Sequence, residues 1–378
     1  MDNRHELDSD STESVNEQAQ ENGKITIVGV GDLGISITGG IYEKKMPGIE
    51  TIAISDDLRH LLTVKVDKKY YLDNGIPRGL GVCTNPIIGE EAAKRDSEKL
   101  GELIRGRDLI FLITGLGGRI GTGAVPVMAE IAKMQGSFSI TIVTVPFSME
   151  GKVRADNARE ALKKLSALSN TSIVIPLEAL SDTFRELSDR NIWEIYEKNI
   201  YERILVEITR MIIEPVSRMW KEDKDRNDLK SMLSGEGFVA VGIGGSESAG
   251  MEGLKEAAQE AISSPLLVLD KSKCDERYVT VKNKLVKIHT PQSTLATKGA
   301  MISLTSGEDI KNNEVAEALK PIKNRIGENT KTVLFLSPNP NMEGEKSCLI
   351  LLTGQHIPLE SEEKSLEASE SDGSVEAL

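Results

Sequence analysis

The stretch GGRIGTG, residues 117–123, decides the fold. The apolar run DLIFLIT (residues 108–114) leads into it and AVPVMAEIAK (residues 124–133) follows it. A strand, a glycine loop and a helix start in that order form an anion cradle. Glycines let the backbone approach phosphate oxygens closely, and successive N–H groups point inward together. The helix N-terminus adds positive dipole and orphan donors. Arg119 breaks the pattern, because a small residue belongs in the middle of such a loop.

Outward from this loop, short apolar runs alternate with helix-length amphipathic segments: ITIVGVG (25–31), IETIAIS (49–55), DLIFLIT, SITIVTV (139–145) and TSIVIP (171–176). This pattern predicts a parallel sheet covered on both faces, with the loops after the strands gathered along one edge. Ligands of such sheets bind at that edge. From residue 191 the pattern changes. Ile192, Tyr196, Ile200, Ile204, Ile208, Met211 and Ile212 recur at helical spacing until Pro215, predicting one long helix. After the charged loop KEDKDRND (221–228) come GFVAVGIG, LKEAAQEAI, MISLTS, NEVAEALKPIKNRI, TVLFLS and CLILLTG. They predict an α+β layer whose sheet is covered mainly on one side. The expected organisation is an acidic disordered tail (1–22), a nucleotide-binding α/β domain (23–190), a central helix (191–215), a smaller α+β domain (216–357) and a second acidic tail (358–378).

The 378 residues carry a net charge of −13, which argues against broad electrostatic binding to nucleic acid or anionic lipid. Three scattered cysteines and four scattered histidines form no disulfide framework or zinc-ligand spacing. With no long apolar span, the expectation is a cytoplasmic protein that does not insert into membranes.

Two glycine loops compete for interpretation. Residues 29–34 read GVGDLG after a strand, and Asp56 follows the next strand, which is the layout of a dinucleotide enzyme. That dehydrogenase alternative leaves the larger glycine run unexplained. No Walker lysine follows either loop, so a phosphate site here rests on backbone N–H groups. Thr122 adds either a hydroxyl donor or a helix cap.

Taken in order, ITIVGVG, IETIAIS, GLGVCTNPIIG, LGGRIGTGAVPVMAEIAK, PFSMEGKVR and SIVIP resemble the prokaryotic tubulin homologue FtsZ. EAAQEAISSPLL (256–267) and KGAMISLTSGEDIKNNEVAEAL (298–319) extend the resemblance over roughly residues 24–355. It implies a tubulin-like fold, GTP or GDP as ligand, Mg²⁺ as its cation, and head-to-tail self-assembly into filaments serving cell division. It also implies that an acidic loop of the neighbouring subunit completes hydrolysis, so that turnover reports assembly.

The resemblance places the nucleotide on Gly31, Asp32, Leu33, Gly34, Ile35 and Ser36 of the first loop. Asp32 and Leu33 replace glycines there, and Ser36 replaces an asparagine. The family's GGGTGTG falls on Gly117, Gly118, Arg119, Ile120, Gly121, Thr122 and Gly123. Its small-residue loop falls on residues 82–86. Its ribose contacts fall on Glu150 and Arg154. The base-reading acid falls on Lys198, which has donors only, whereas a carboxylate accepts from guanine N1–H and N2–H together. Asn199 is the nearest substitute, about 100° around the helix. Leu177 takes the place of an asparagine after SIVIP, and Glu194 that of the stacking aromatic. The hydrolytic acids fall on Asp225 and Asp228, with Asp223 replacing an asparagine. Past residue 359 the family's apolar–basic tail peptide is missing, which removes that route to membrane adaptors. A member with weak or no turnover, acting as a scaffold, is the second reading.

Three placements of Arg119 remain open in the sequence. It binds phosphate through charge-assisted bonds of about 1.5–3 kcal/mol. It strains the loop by about 1–2 kcal/mol if its backbone sits at positive φ. Or it turns outward.

Overall fold

The computed structural model describes residues 23–73, 84–180, 200–248, 250–269, 274–281, 284–291, 295–307, 310–338 and 345–357. Both expected tails, Lys198, Asn199, Glu194 and the first part of the 82–86 loop lie outside them.

In the first half, the strands are β1 (Ile25–Val30), β2 (Ile49–Ser55), β3 (Lys68–Tyr71), β4 (Leu109–Gly115), β5 (Phe138–Val145) and β6 (Thr171–Pro176). The helices between them are α1 (Gly31–Glu43), α2 (Leu58–Thr63), α3 (Pro86–Arg95), α4 (Ser97–Leu103), α5 (Ile120–Met134) and α6 (Lys152–Leu168). All strand pairs here are parallel, with Ile25 opposite both Ile49 and Leu109. Side chains alternate across the sheet, so Ile25 and Ile27 of β1 face one core while Val28 and Val30 face the other. α1 packs its Ile37 and Ile41 on the first face, and α5 packs Ala124, Val125 and Met128 on the second. Strands buried on both faces explain the continuous apolar runs.

The helix α7 (Ile200–Lys221) lies on the same face as α1 and is followed by α8 (Asp223–Leu233). Two expectations change here. The helix does not stop at Pro215 but runs six residues further. A mid-helix proline costs about 3 kcal/mol. Beyond it Val216, Met219 and Trp220 are buried, and each such side chain contributes roughly 1.5–3 kcal/mol, which outweighs that cost. Trp220 packs against Phe138 at a 44° tilt, with ring centroids 5.1 Å apart. The charged stretch after the helix is not a loop either. Asp223 and Asp225 occupy the first turn of α8, where the helix dipole favours acids.

The second half adds β7 (Phe238–Ser246), α9 (Gly250–Ser263), the hairpin β8 (Cys274–Val281) and β9 (Lys284–Pro291), β10 (Gly299–Ser306), α10 (Asn312–Ile326), β11 (Lys331–Pro338) and β12 (Lys346–Gln355). Among the described residues, β7, β10, β11 and β12 continue the first sheet into ten strands, in the order β11-β10-β12-β7-β6-β5-β4-β1-β2-β3. Only β12 runs against the others. The seam between the two groups is a single parallel pair, Ile173 with Val239. This second group is covered on both faces, not mainly one. α9 and α10 bury Ala300, Ile302 and Ile350, while Val239, Met301 and Leu351 join the core under α7 and α8.

Candidate functional site

At the carboxyl edge of β1, β2, β4 and β5 a cavity of about 320 Å³ opens. Its walls are Gly31, Asp32 and Leu33 of the first glycine loop and Gly118, Arg119, Ile120 and Gly121 of the second. Val30, Asp56, Gly115, Leu116, Thr144, Pro146, Glu150, Arg154, Leu177, Tyr201 and Glu202 complete it.

The two loops meet at their glycines. A Cβ on Gly31, whose φ is +72°, would lie 3.0 Å from the Gly121 nitrogen. One on Gly121 would lie 2.0 Å from Thr114 Oγ1, which donates a hydrogen bond to the Val30 carbonyl at 2.9 Å. Only glycine lets these backbones come this close. Neither α1 nor α5 has a side-chain cap, whereas Asp57 caps α2 and Asn85 caps α3. The first N–H groups of α1 and α5 therefore open on the cavity, which suits an anion.

The remaining loop residues are structural. Gly117 takes the turn at φ +100°, and its N–H donates to Thr122 Oγ1 at 2.9 Å. Thr122 thus fastens the loop from inside and is buried. Gly123 packs against α3, where a Cβ would lie 2.0 Å from the Pro86 carbonyl oxygen. Gly34 packs on β4, with the Ile113 oxygen 2.3 Å from its would-be Cβ. Ile35 is a core residue beside Ala53 and Leu61. Ser36 faces His60, with Oγ and Nε2 3.2 Å apart.

Arg119 has helical backbone, φ −79° and ψ −64°, so it carries none of the strain expected at positive φ. Its guanidinium turns inward and pairs with Asp56, their side chains 22% and 10% exposed. Burial raises the Asp56 carboxyl above its ordinary value, and Arg119 pulls against that rise. Arg154 pairs with Glu150, whose other carboxylate oxygen accepts the Phe147 N–H at 2.9 Å. The Nε atoms of both arginines are buried with no hydrogen-bond partner. At the mouth, His60 Nδ1 lies 3.7 Å from Asp32. The Asp32 carboxylate holds the imidazole above its ordinary value. Burial raises Glu202, opposed by His60.

Tyr201 and Glu202 are wall residues that the sequence reading did not assign to this site, and Asp56, read there only as the acid of a dinucleotide enzyme, is a third. Tyr201 and Glu202 stand at the start of α7, just after Lys198 and Asn199. Asp225 and Asp228 are exposed and remote. Glu202 of α7 touches the cavity, while Lys221 at the other end of α7 reaches Pro47 and Gly23, below β2 and β1. A helix of 22 residues spans about 33 Å, so the two aspartates sit at the opposite edge of the sheet.

Mg²⁺ is held in proteins by one or two carboxylates together with substrate phosphates. Here Asp56 faces Arg119 and Glu150 faces Arg154. Among the described residues no three His, Cys, Asp or Glu side chains converge as a metal site. Asp32 and Glu202, which also line the cavity, are the carboxylates placed to share a cation with bound phosphates.

The pattern of the Tubulin/FtsZ family GTPase domain matches residues 24–185. The chain is 32% identical to "Cell division protein FtsZ 1" of Pyrococcus abyssi over 331 residues, 88% of this chain and 81% of that one. It is 30% identical to the Methanocaldococcus jannaschii protein of the same name, over 95% of this chain and 90% of that one. A solved structure described as an empty FtsZ dimer from M. jannaschii superposes with a TM-score of 0.73, covering 92% of this chain and 93% of that one. CetZ1 from Haloferax volcanii shares the fold at 18% identity, with a TM-score of 0.67 over 92% of this chain and all of that one. With this cavity at the end of this sheet, and these relatives along nearly its whole length, the chain belongs to the Tubulin/FtsZ family.

Proposed function

We propose that this protein binds GTP and GDP in the cavity between the two glycine loops and assembles head to tail into filaments that serve cell division. The observation that carries this reading is the placement of cavity and acids at opposite ends of α7. Asp225 and Asp228 are too far away to serve their own cavity, yet stacking one copy on the next brings them to the neighbour's. Such a heterologous contact repeats without closing and gives a filament. In that junction the two carboxylates orient the water that attacks the terminal phosphate, so hydrolysis follows assembly. On this reading Glu150 and Arg154, paired in the cavity wall, contact the ribose.

Phosphate release from GTP, measured against protein concentration, tests this. A specific activity that climbs with concentration supports it, and one that stays flat overturns action between subunits. A second reading is a filament-forming scaffold with little turnover. It is favoured by the Arg119–Asp56 pair inside the cavity and by Arg226, which binds Asp223 at 3.1 Å beside the proposed acids. GTP-dependent light scattering without phosphate release identifies that reading.

A further inference from the structure

Asp225 and Asp228 stand on a turn with little to hold it. α7 ends at Lys221 and α8 begins at Asp223, so Glu222 alone joins them. Glu222, at the cap position, makes no side-chain cap bond. Residues 221–225, 227 and 228 are exposed, and the first fully buried side chain of α8 is Leu229. A helix start with neither a cap nor a buried anchor frays.

Arg226 supplies the anchor. Its side chain is 17% exposed, and its Nε donates to the Trp220 carbonyl at 2.6 Å. That carbonyl belongs to the last turn of α7, which has no intrahelical partner for it. Nη2 is buried and lies 3.1 Å from the Asp223 carboxylate. One turn on, Lys230 Nζ stands 4.8 Å from the centroid of the Trp220 ring. Two cations four residues apart therefore grip one residue, Arg226 by its backbone and Lys230 by its indole. Trp220 is itself fixed, 1% exposed and packed against Phe138 of β5.

The same geometry turns the acids outward. Asp225 and Asp228 lie about 100° and 160° round the helix from Arg226, on the same side. With Arg226 held against Trp220, both carboxylates face solvent together.

We infer that Arg226 is a positioning residue for hydrolysis between subunits: its bond to the Trp220 carbonyl fixes the first turn of α8, and with it the direction of Asp225 and Asp228. This rests on the reading in which those acids serve a neighbour's cavity. Such positioning governs turnover more than binding, since a misplacement of about 1 Å costs up to about a hundredfold in rate. Arg226 sits at the end of α7 away from the cavity, so nucleotide affinity does not depend on it.

The test compares the full-length wild type with Arg226→Ala and Arg226→Lys. GDP affinity by calorimetry should agree within about threefold across all three. Phosphate release at saturating GTP, per pelleted subunit, should fall at least about tenfold in Arg226→Ala. Arg226→Lys keeps a donor for the Trp220 carbonyl and should lose less than about threefold. Arg226→Ala is then mixed with an equal amount of Gly118→Trp, which fills the cavity and leaves α8 untouched. About half of the open cavities then meet sound acids, so turnover per open cavity should climb about fivefold. A general lesion of the fold would not be mended this way. The inference is overturned if Arg226→Ala turns over GTP within about threefold of wild type or loses GDP binding as well. It is equally overturned if Arg226→Lys falls as far as Arg226→Ala, or if mixing restores nothing. A wild-type chain that releases no phosphate at any concentration would instead overturn hydrolysis between subunits itself, a distinct result.

Discussion

The Arg119 guanidinium and the Asp56 carboxylate form an ion pair that ties the second glycine loop to the end of β2. Asp56 is mostly buried, and its carboxyl is already raised by that burial. Arg119→Ala therefore leaves a poorly solvated acid behind and should cost about 1–3 kcal/mol of stability at pH 7. The sign with pH follows from linkage. The folded state of the variant binds a proton more readily than the unfolded chain, so its deficit shrinks as pH falls through the raised pKa. Urea melts of both proteins at pH 7 and pH 5 check this, and an equal deficit at both values contradicts it.

Alanine should be costly at Gly121 and tolerated at Gly118. At Gly121 the added carbon would lie 2.0 Å from Thr114 Oγ1 and 2.9 Å from the Gly115 oxygen, so Gly121→Ala should cost about 1–3 kcal/mol. At Gly118 the nearest atom is Arg154 Nη2, 3.8 Å away, so Gly118→Ala should leave the melting temperature nearly unchanged. Thermal melts of the two variants decide the matter.

His60 should titrate above its ordinary value because Asp32 stands beside it. Its stabilising contribution is complete below the unfolded pKa near 6.5 and fades as pH rises through the folded one. NMR titration of the imidazole should show the elevation, and Asp32→Asn should lower it. An unmoved His60 in that variant would remove Asp32 as the cause.

Action between subunits predicts complementation. Asp225→Ala with Asp228→Ala disables the lower edge and leaves the cavity intact. Gly118→Trp fills the cavity and leaves the lower edge intact. Each protein alone should release almost no phosphate from GTP. An equal mixture should regain activity, because about a quarter of mixed head-to-tail junctions pair a sound cavity with sound acids. No recovery in co-assembled filaments would refute the shared site.

Much of this was legible in the sequence, for reasons visible in particular residues. Runs such as LIFLIT are buried on both faces of the sheet, so they announce strands without alternation. The glycines at 31 and 121 are forced by the contact of two backbones, which leaves a mark in the residue type. Pro215 misled because local propensity argues for a stop, while the apolar spacing continues through Val216, Met219 and Trp220 to a buried face. The same periodic reading, carried past the proline, finds the longer helix. The hairpin β8–β9 carried no comparable signal, since CDERYVTV and KLVKIHTP mix charges with β-branched residues. Arg119 is the clearest limit. Its identity is plain in the sequence, but its partner lies 63 residues away at the end of another strand, and only the sheet order brings the two together.

On the proposed function, nucleotide in this cavity drives assembly of the chain into filaments. Sedimentation of the purified full-length protein with GTP, with GDP and with neither tests it most directly. A pelleted fraction should appear with GTP above a threshold protein concentration and be lost in Gly118→Trp. A pellet of equal size under all three conditions, or none at any concentration, would contradict it.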